Sequence, residues 1–215
     1  MRLKYKSYWR KTGLKGKWGD IYLSRLEKYK PKNILEIGVF CGVTARNNCD
    51  FLNKIHGKKF SYTGIDLFGS DKKSLINEIE PKFLKDQKFS NPLKNIYYNL
   101  ILKENLNSLK SVEKLLKKYK NNIKLIKGDT NIELKKINLS DIDFVFIDGG
   151  HSYETVINDL ETLYKSLKGK NTILLCDDYG SASYISDVKK AIDHFTKTNN
   201  LSIELIKDRF AEIIT

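Results

Sequence analysis

The residues best equipped for chemistry lie at the ends of two apolar runs. "FVFIDGGHSY" places Asp148, two glycines and His151 where a run of β-type residues stops, and "LLCDDYG" does the same with Asp177 and Asp178. Carboxylates that crowd together repel one another and raise each other's pKa, and a divalent cation is the simplest counter-charge. Hard oxygen donors with room for water suit Mg²⁺ or Mn²⁺. An imidazole three residues after Asp148 is the side chain that gains and loses a proton near neutral pH. Structural roles compete at each position. Asp148 could cap the helix that starts near Ser152, Asp177 and Asp178 could form the turn before Tyr179-Gly180, and His151 could be a loop residue. His56 and His194 fall on helical patterns away from these ends and read as surface residues.

A second set precedes it. "ILEIGVFCGVTA" puts Glu36 at the end of a strand, with Gly38 and Gly42 in the turn before a helix. Glycines there allow a sharp turn and a ligand close to the helix N-terminus. The Gly-x-x-x-Gly spacing misses the Gly-x-Gly-x-x-Gly fingerprint of pyrophosphate binding. An acid ahead of the glycines suits a cationic ligand, and S-adenosylmethionine carries both a sulfonium and an ammonium. Thr44 opens the following helix. Asp66, followed by Leu67, ends a second strand at the distance expected for a ribose partner. Asp129, followed by Thr130, ends a third and can receive an adenine amino group. A strand-terminal Asp taken singly is often only a helix N-cap.

The elements that must position these groups alternate. Short apolar runs at 32–39, 60–68, 122–129, 141–148 and 171–178 read as buried parallel strands. Helical patterns follow at 42–55, from about 152 to 167, and at 186–198. Right-handed βαβ crossovers then give a parallel sheet covered by helices on both faces. The last two runs, 201–208 and 210–215, have only a short link and read as antiparallel neighbours. Such an ending belongs to the seven-stranded, Rossmann-like class I methyltransferase sheet: an α/β fold, mostly parallel, with an antiparallel last strand. In that order the strands ending at Asp148 and Asp177 are neighbours. Residues 69–121 exceed what one connection needs and read as an insertion, either a surface helix or a cover over the acceptor.

The motifs "LEIGVFCGVTA", "YTGIDLF", "GD", "FIDGGHSYETVINDLE" and "LLCDDY" together resemble the metal-dependent sugar O-methyltransferases related to macrocin O-methyltransferase. The resemblance spans about Lys32 to Tyr179, with a lead-in over residues 1–31. It implies S-adenosylmethionine held by Glu36, Gly38, Gly42, Thr44, Asp66, Leu67, Asp129, Thr130 and Asp148. It implies Mg²⁺ (or Mn²⁺) on Asp148, Asp177 and Asp178, and His151 as general base. The expected acceptor is a glycan or nucleotide sugar with vicinal hydroxyls. A catechol-type O-methyltransferase shares the metal and the diol, and would need an apolar slot built from Tyr97, Tyr98 or Trp9. A nucleic-acid methyltransferase would use the net charge of +13, but no Asn-Pro-Pro-Tyr-type motif supports it.

That charge comes mostly from lysines scattered from end to end, the pattern an AT-rich genome leaves on solvated faces. A basic chain can meet nucleic acid, anionic glycans or a membrane surface. No apolar run approaches the roughly 20 residues that span a bilayer, and the start of the chain lacks the apolar core of a secretory signal. Cys41, Cys49 and Cys176 have no metal spacing and read as buried thiols in a reducing cytoplasm. The expectation is one cytoplasmic domain over residues 1–215, with homo-oligomerisation compatible with it and no membrane insertion.

Overall fold

The computed structural model describes residues 3–69, 87–180 and 186–215. Helix α1 (Lys17–Tyr29) leads into β1 (Asn33–Ile37), α2 (Val43–His56) and β2 (Ser61–Asp66). The short α3 (Pro92–Asn95) continues into a wider turn over Ile96–Ile101, and α4 (Leu109–Leu116) precedes β3 (Ile123–Lys127). One-turn α5 (Thr130–Glu133), β4 (Phe144–Ile147), α6 (Tyr153–Leu167), β5 (Ile173–Cys176) and α7 (Ser186–Asn199) follow. The chain closes with β6 (Glu204–Ile206) and β7 (Phe210–Ile214).

The strands form one seven-stranded sheet in the order β3-β2-β1-β4-β5-β7-β6. β1 to β5 pair in parallel, and β7 runs antiparallel between β5 and β6. The expected class I architecture is met, including the neighbouring β4 and β5. Alternation along each strand divides the core in two. Ile34, Phe144, Phe146 and Leu175 pack with Tyr22 and Leu26 of α1 and Leu52 of α2 on one face. Leu35, Val145, Ile147 and Leu174 pack with Leu160 and Leu163 of α6 and Phe195 of α7 on the other. Both faces are dry, which is why these strands read as unbroken apolar runs.

Part of the 69–121 segment lies outside the described residues. Its remainder, from Gln87 on, contributes α3, its wide turn and α4. Tyr98 and Leu106 from this part pack on Cys41, with Phe40 and Phe89 against them. The segment thus abuts the turn between β1 and α2. Cys41, Cys49 and Cys176 are free and buried, as expected. Among the described residues no helix is long and apolar enough to cross a membrane.

Candidate active site

Parallel pairing brings the C-terminal ends of β1, β2, β4 and β5 to one edge. Asp148 donates its backbone N–H to the Ile37 carbonyl (2.8 Å), and Asp177 donates to that of Ile147 (2.9 Å). Gly38, with φ of 88°, lies so close to β4 that an added Cβ would sit 1.9 Å from the Asp148 carbonyl oxygen. The glycine turn and the acidic turn are therefore in backbone contact.

At the β1 end, Glu36 shares the parity of Ile34 and points into the core under α2. It is fully buried, and its Oε2 accepts from the Tyr62 hydroxyl and from Asn48 Nδ2, both at 2.9 Å. Its Oε1 has no partner. Burial pushes this carboxyl up to about 8, against the two hydrogen bonds that favour the anion. An orphaned, desolvated carboxyl oxygen one residue from the turn fits a cationic ligand end.

Asp66 is more committed than the sequence reading has it. Its Oδ2 accepts from Phe40 N (2.8 Å) and its Oδ1 from Phe68 N (2.6 Å), so it fastens the β1 turn to the β2 end beside Leu67. Burial raises its pKa and these backbone donors oppose the rise. Gly42, with φ of 73°, opens α2, but the space its Cβ would need is filled by Val112 of α4 at 2.9 Å. It is needed for packing as well as for turning. Thr44 Oγ1 meets the Tyr5 hydroxyl at 2.6 Å, which brings the lead-in over the turn. Asp129 caps α5: its Oδ1 accepts from Asn131 N (2.9 Å), with Thr130 as the first helical residue.

At the β4 and β5 ends, helix α6 is capped by Ser152, whose Oγ accepts from Thr155 N (3.3 Å). That leaves the Asp148 side chain out of the capping role. Asp148, His151, Asp177 and Asp178 line a cleft of about 270 Å³, including its open mouth, with Val156, Val188 and Ile192 on its apolar flank. Burial drives the Asp148 carboxyl well above its usual range, and the negative charges of Asp177 and Asp178 add to the effect. Asp178 sits in the left-handed region (φ 58°), and its Oδ2 lies 3.6 Å from His151 Nε2.

Asp177 has a fixed partner. Arg209, from the link between β6 and β7, grips both its oxygens, Nε to Oδ1 and a terminal nitrogen to Oδ2, each at 2.6 Å. Asp177 Oδ1 also accepts from Asp178 N (2.9 Å). Burial raises the Asp177 pKa and Arg209 opposes it. Among the described residues no three His, Cys, Asp or Glu side chains are gathered as a metal-binding group. Donor type and charge nevertheless fit a divalent cation, since three carboxylates face the single positive charge of Arg209. Trp9, Tyr97 and Tyr98 pack on one another at centroid distances of 5.1 to 5.5 Å.

Arg209 and Arg10 escaped the sequence reading. Arg10, buried, donates to the carbonyls of Cys41 (2.9 Å), Leu106 (3.2 Å) and Ser111 (3.1 Å) and to the Ser111 hydroxyl (2.7 Å). It joins the lead-in, the glycine turn and α4. A usable signal was present: the chain spends arginine on Arg2, Arg10, Arg25, Arg46 and Arg209 alone, although Lys and Arg total 39. Where lysine is the default cation, an arginine marks a planar, multi-donor link.

Sheet order, glycine turn and strand-end acids define a class I methyltransferase architecture. The chain belongs to the methyltransferase-domain family, whose match covers residues 35–179. No curated protein matches it. Solved structures share its fold. The S-adenosylhomocysteine-bound methyltransferase PaMTH1 of Podospora anserina is 18% identical, with 93% of this chain and 78% of that one covered at a TM-score of 0.59. The O-methyltransferase NovP is 14% identical (93% and 81% covered, TM-score 0.64). Apo CalS11, described as a TDP-rhamnose 3'-O-methyltransferase of calicheamicin biosynthesis, is 16% identical (94% and 81% covered, TM-score 0.56).

Proposed function

We propose that this methyltransferase moves a methyl group from S-adenosylmethionine to a sugar hydroxyl, with Mg²⁺ or Mn²⁺ at the β4–β5 edge. The observation that carries the reading is the partly balanced acidic cluster in backbone contact with the glycine turn. Asp148 and Asp178 would hold the ion, with Asp177 kept in place beside them by Arg209. An ion held there would lower the pKa of an acceptor hydroxyl and orient it. The described activity of CalS11 on a nucleotide-linked sugar supports the choice of acceptor.

The chain's own residues supply the rest. Glu36, Asp66 and the turn from Gly38 to Gly42 hold the cofactor, with Thr44 and Leu67 beside them and Asp129 and Thr130 at the adenine end. The acceptor oxygen forms its new C–O bond as the cofactor C–S bond breaks. His151 takes the hydroxyl proton, and Asp178, 3.6 Å from Nε2, stabilises the imidazolium.

The test has two readouts. Mn²⁺ binding followed by electron paramagnetic resonance should weaken at least about tenfold in Asp148→Asn and Asp178→Asn, while calorimetric binding of S-adenosylhomocysteine to Asp178→Asn persists. Methyl transfer to a panel of nucleotide sugars should stop in EDTA. Unchanged Mn²⁺ binding in both variants, or full activity in chelator, refutes the metal. Turnover of catechols but of no sugar refutes the acceptor.

A further inference from the structure

Beyond that reaction, one face of the chain has no assigned role. Leu93, Ile96, Tyr97, Leu100 and Ile101 form an exposed apolar stripe along α3 and its wide turn. They point outward, with Leu93, Leu100 and Ile101 each about two-thirds exposed (67%, 68% and 66%). Trp9 of the lead-in, 42% exposed, extends the stripe through its contact with Tyr97 at 5.2 Å. Tyr98 turns the other way and packs with Cys41 of the glycine turn. Soluble monomers rarely leave a contiguous apolar surface of this kind without a partner.

The charge around the stripe decides what that partner is. From Gln87 to Lys103 there is no acidic residue, while Lys94 and Lys103 fall within or beside the apolar run. Lys94 Nζ lies 5.7 Å over the Trp9 ring. Of the two acids that bound this stretch, Asp86 lies outside the described residues and Glu104 is already engaged by Arg10, Ser111 and Lys114. A two-fold contact between copies would press these lysines against one another, in a chain of net charge +13. An anionic bilayer offers the complement of both features. Leucine and isoleucine enter the acyl boundary, tryptophan and tyrosine settle at headgroup level, and lysine meets the phosphates.

We infer that the α3 face docks on an anionic membrane surface and holds the glycine turn behind it close to the headgroups. The test is flotation of the full chain with vesicles of phosphatidylcholine, alone or mixed with phosphatidylglycerol. The wild type is expected to float with the mixed vesicles and to remain partly bound at high salt. The triple variant Leu93→Ser/Leu100→Ser/Ile101→Ser replaces only exposed side chains and is expected to keep its melting temperature. Its vesicle binding should fall at least about tenfold. The double variant Lys94→Gln/Lys103→Gln should lose the preference for the anionic lipid. Three results overturn the inference: equal binding to both vesicle types, a triple variant that floats like the wild type, or a wild-type dimer that the triple variant converts to monomer. The last would assign the face to a second copy.

Discussion

Replacing Glu36 with Gln should change how stability depends on pH, by an amount set by the surroundings of that carboxyl. Glu36 is fully buried, has one unpartnered oxygen, and burial lifts its pKa from 4.5 to about 8. The folded protein therefore holds a proton there that the unfolded chain releases above about 4.5. The stability linked to that proton is fully present below pH 4.5, falls as pH rises, and is gone above pH 8. The slope in between is about 1.4 kcal/mol per pH unit. Over the whole interval the loss is roughly 5 kcal/mol, and between pH 6 and pH 9 about 3 kcal/mol. Glutamine is close to the protonated acid in shape and keeps an acceptor for Tyr62 or Asn48, but it does not ionise. Urea unfolding followed by circular dichroism, at pH 6, 7, 8 and 9, should find the variant more stable by about 2 kcal/mol at pH 6. At pH 9 that lead should have widened by about 3 kcal/mol, to roughly 5 kcal/mol. Titrations shared by both proteins largely cancel in that difference. A difference that stays constant within about 0.5 kcal/mol from pH 6 to pH 9 would refute the assignment.

Three further outcomes concern the links around the site. Arg209→Met strands a buried carboxylate and should cost about 3–5 kcal/mol, with part regained in the double variant with Asp177→Asn; equal urea midpoints for wild type and Arg209→Met would contradict this. Arg10→Met deprives three carbonyls of a charged donor, and a loss of about 3 kcal/mol should lower the melting temperature by roughly 6–12 °C. Gly38→Ala forces a Cβ to within 1.9 Å of the Asp148 carbonyl oxygen, so its melting temperature should fall by more than that of Gly57→Ala, where φ is also positive but no atom lies within 4 Å.

Much of the frame was readable because it rests on short-range patterns. Doubly buried strands such as β4 and β5 are continuous apolar runs, and the turn residues after them mark the ligand edge. Asp66 and Asp129 were placed at the right strand ends, yet their visible hydrogen bonds go to Phe40, Phe68 and Asn131, a local use that spacing alone does not reveal. What was not readable depends on distance in the chain. Arg10 reaches Ser111 across 101 positions and Arg209 reaches Asp177 across 32. No period or motif joins such pairs; only the folded sheet does. Gly42 shows a related limit, since the side chain that fills its missing Cβ space, Val112, belongs to α4 within the segment that read as an insertion.

The grip of Arg209 on Asp177 also has a consequence for synthesis on the ribosome. A nascent chain that has emerged through β5 and α7 can already pair β1 with β2 and β4, and can bury much of both cores. It still lacks the guanidinium that balances its innermost strand-end acid, and β5 still has an open edge where β7 will lie. The acidic edge is therefore the last part of the sheet to be completed, and a fragment ending short of residue 209 would keep an unfinished site on a nearly finished frame.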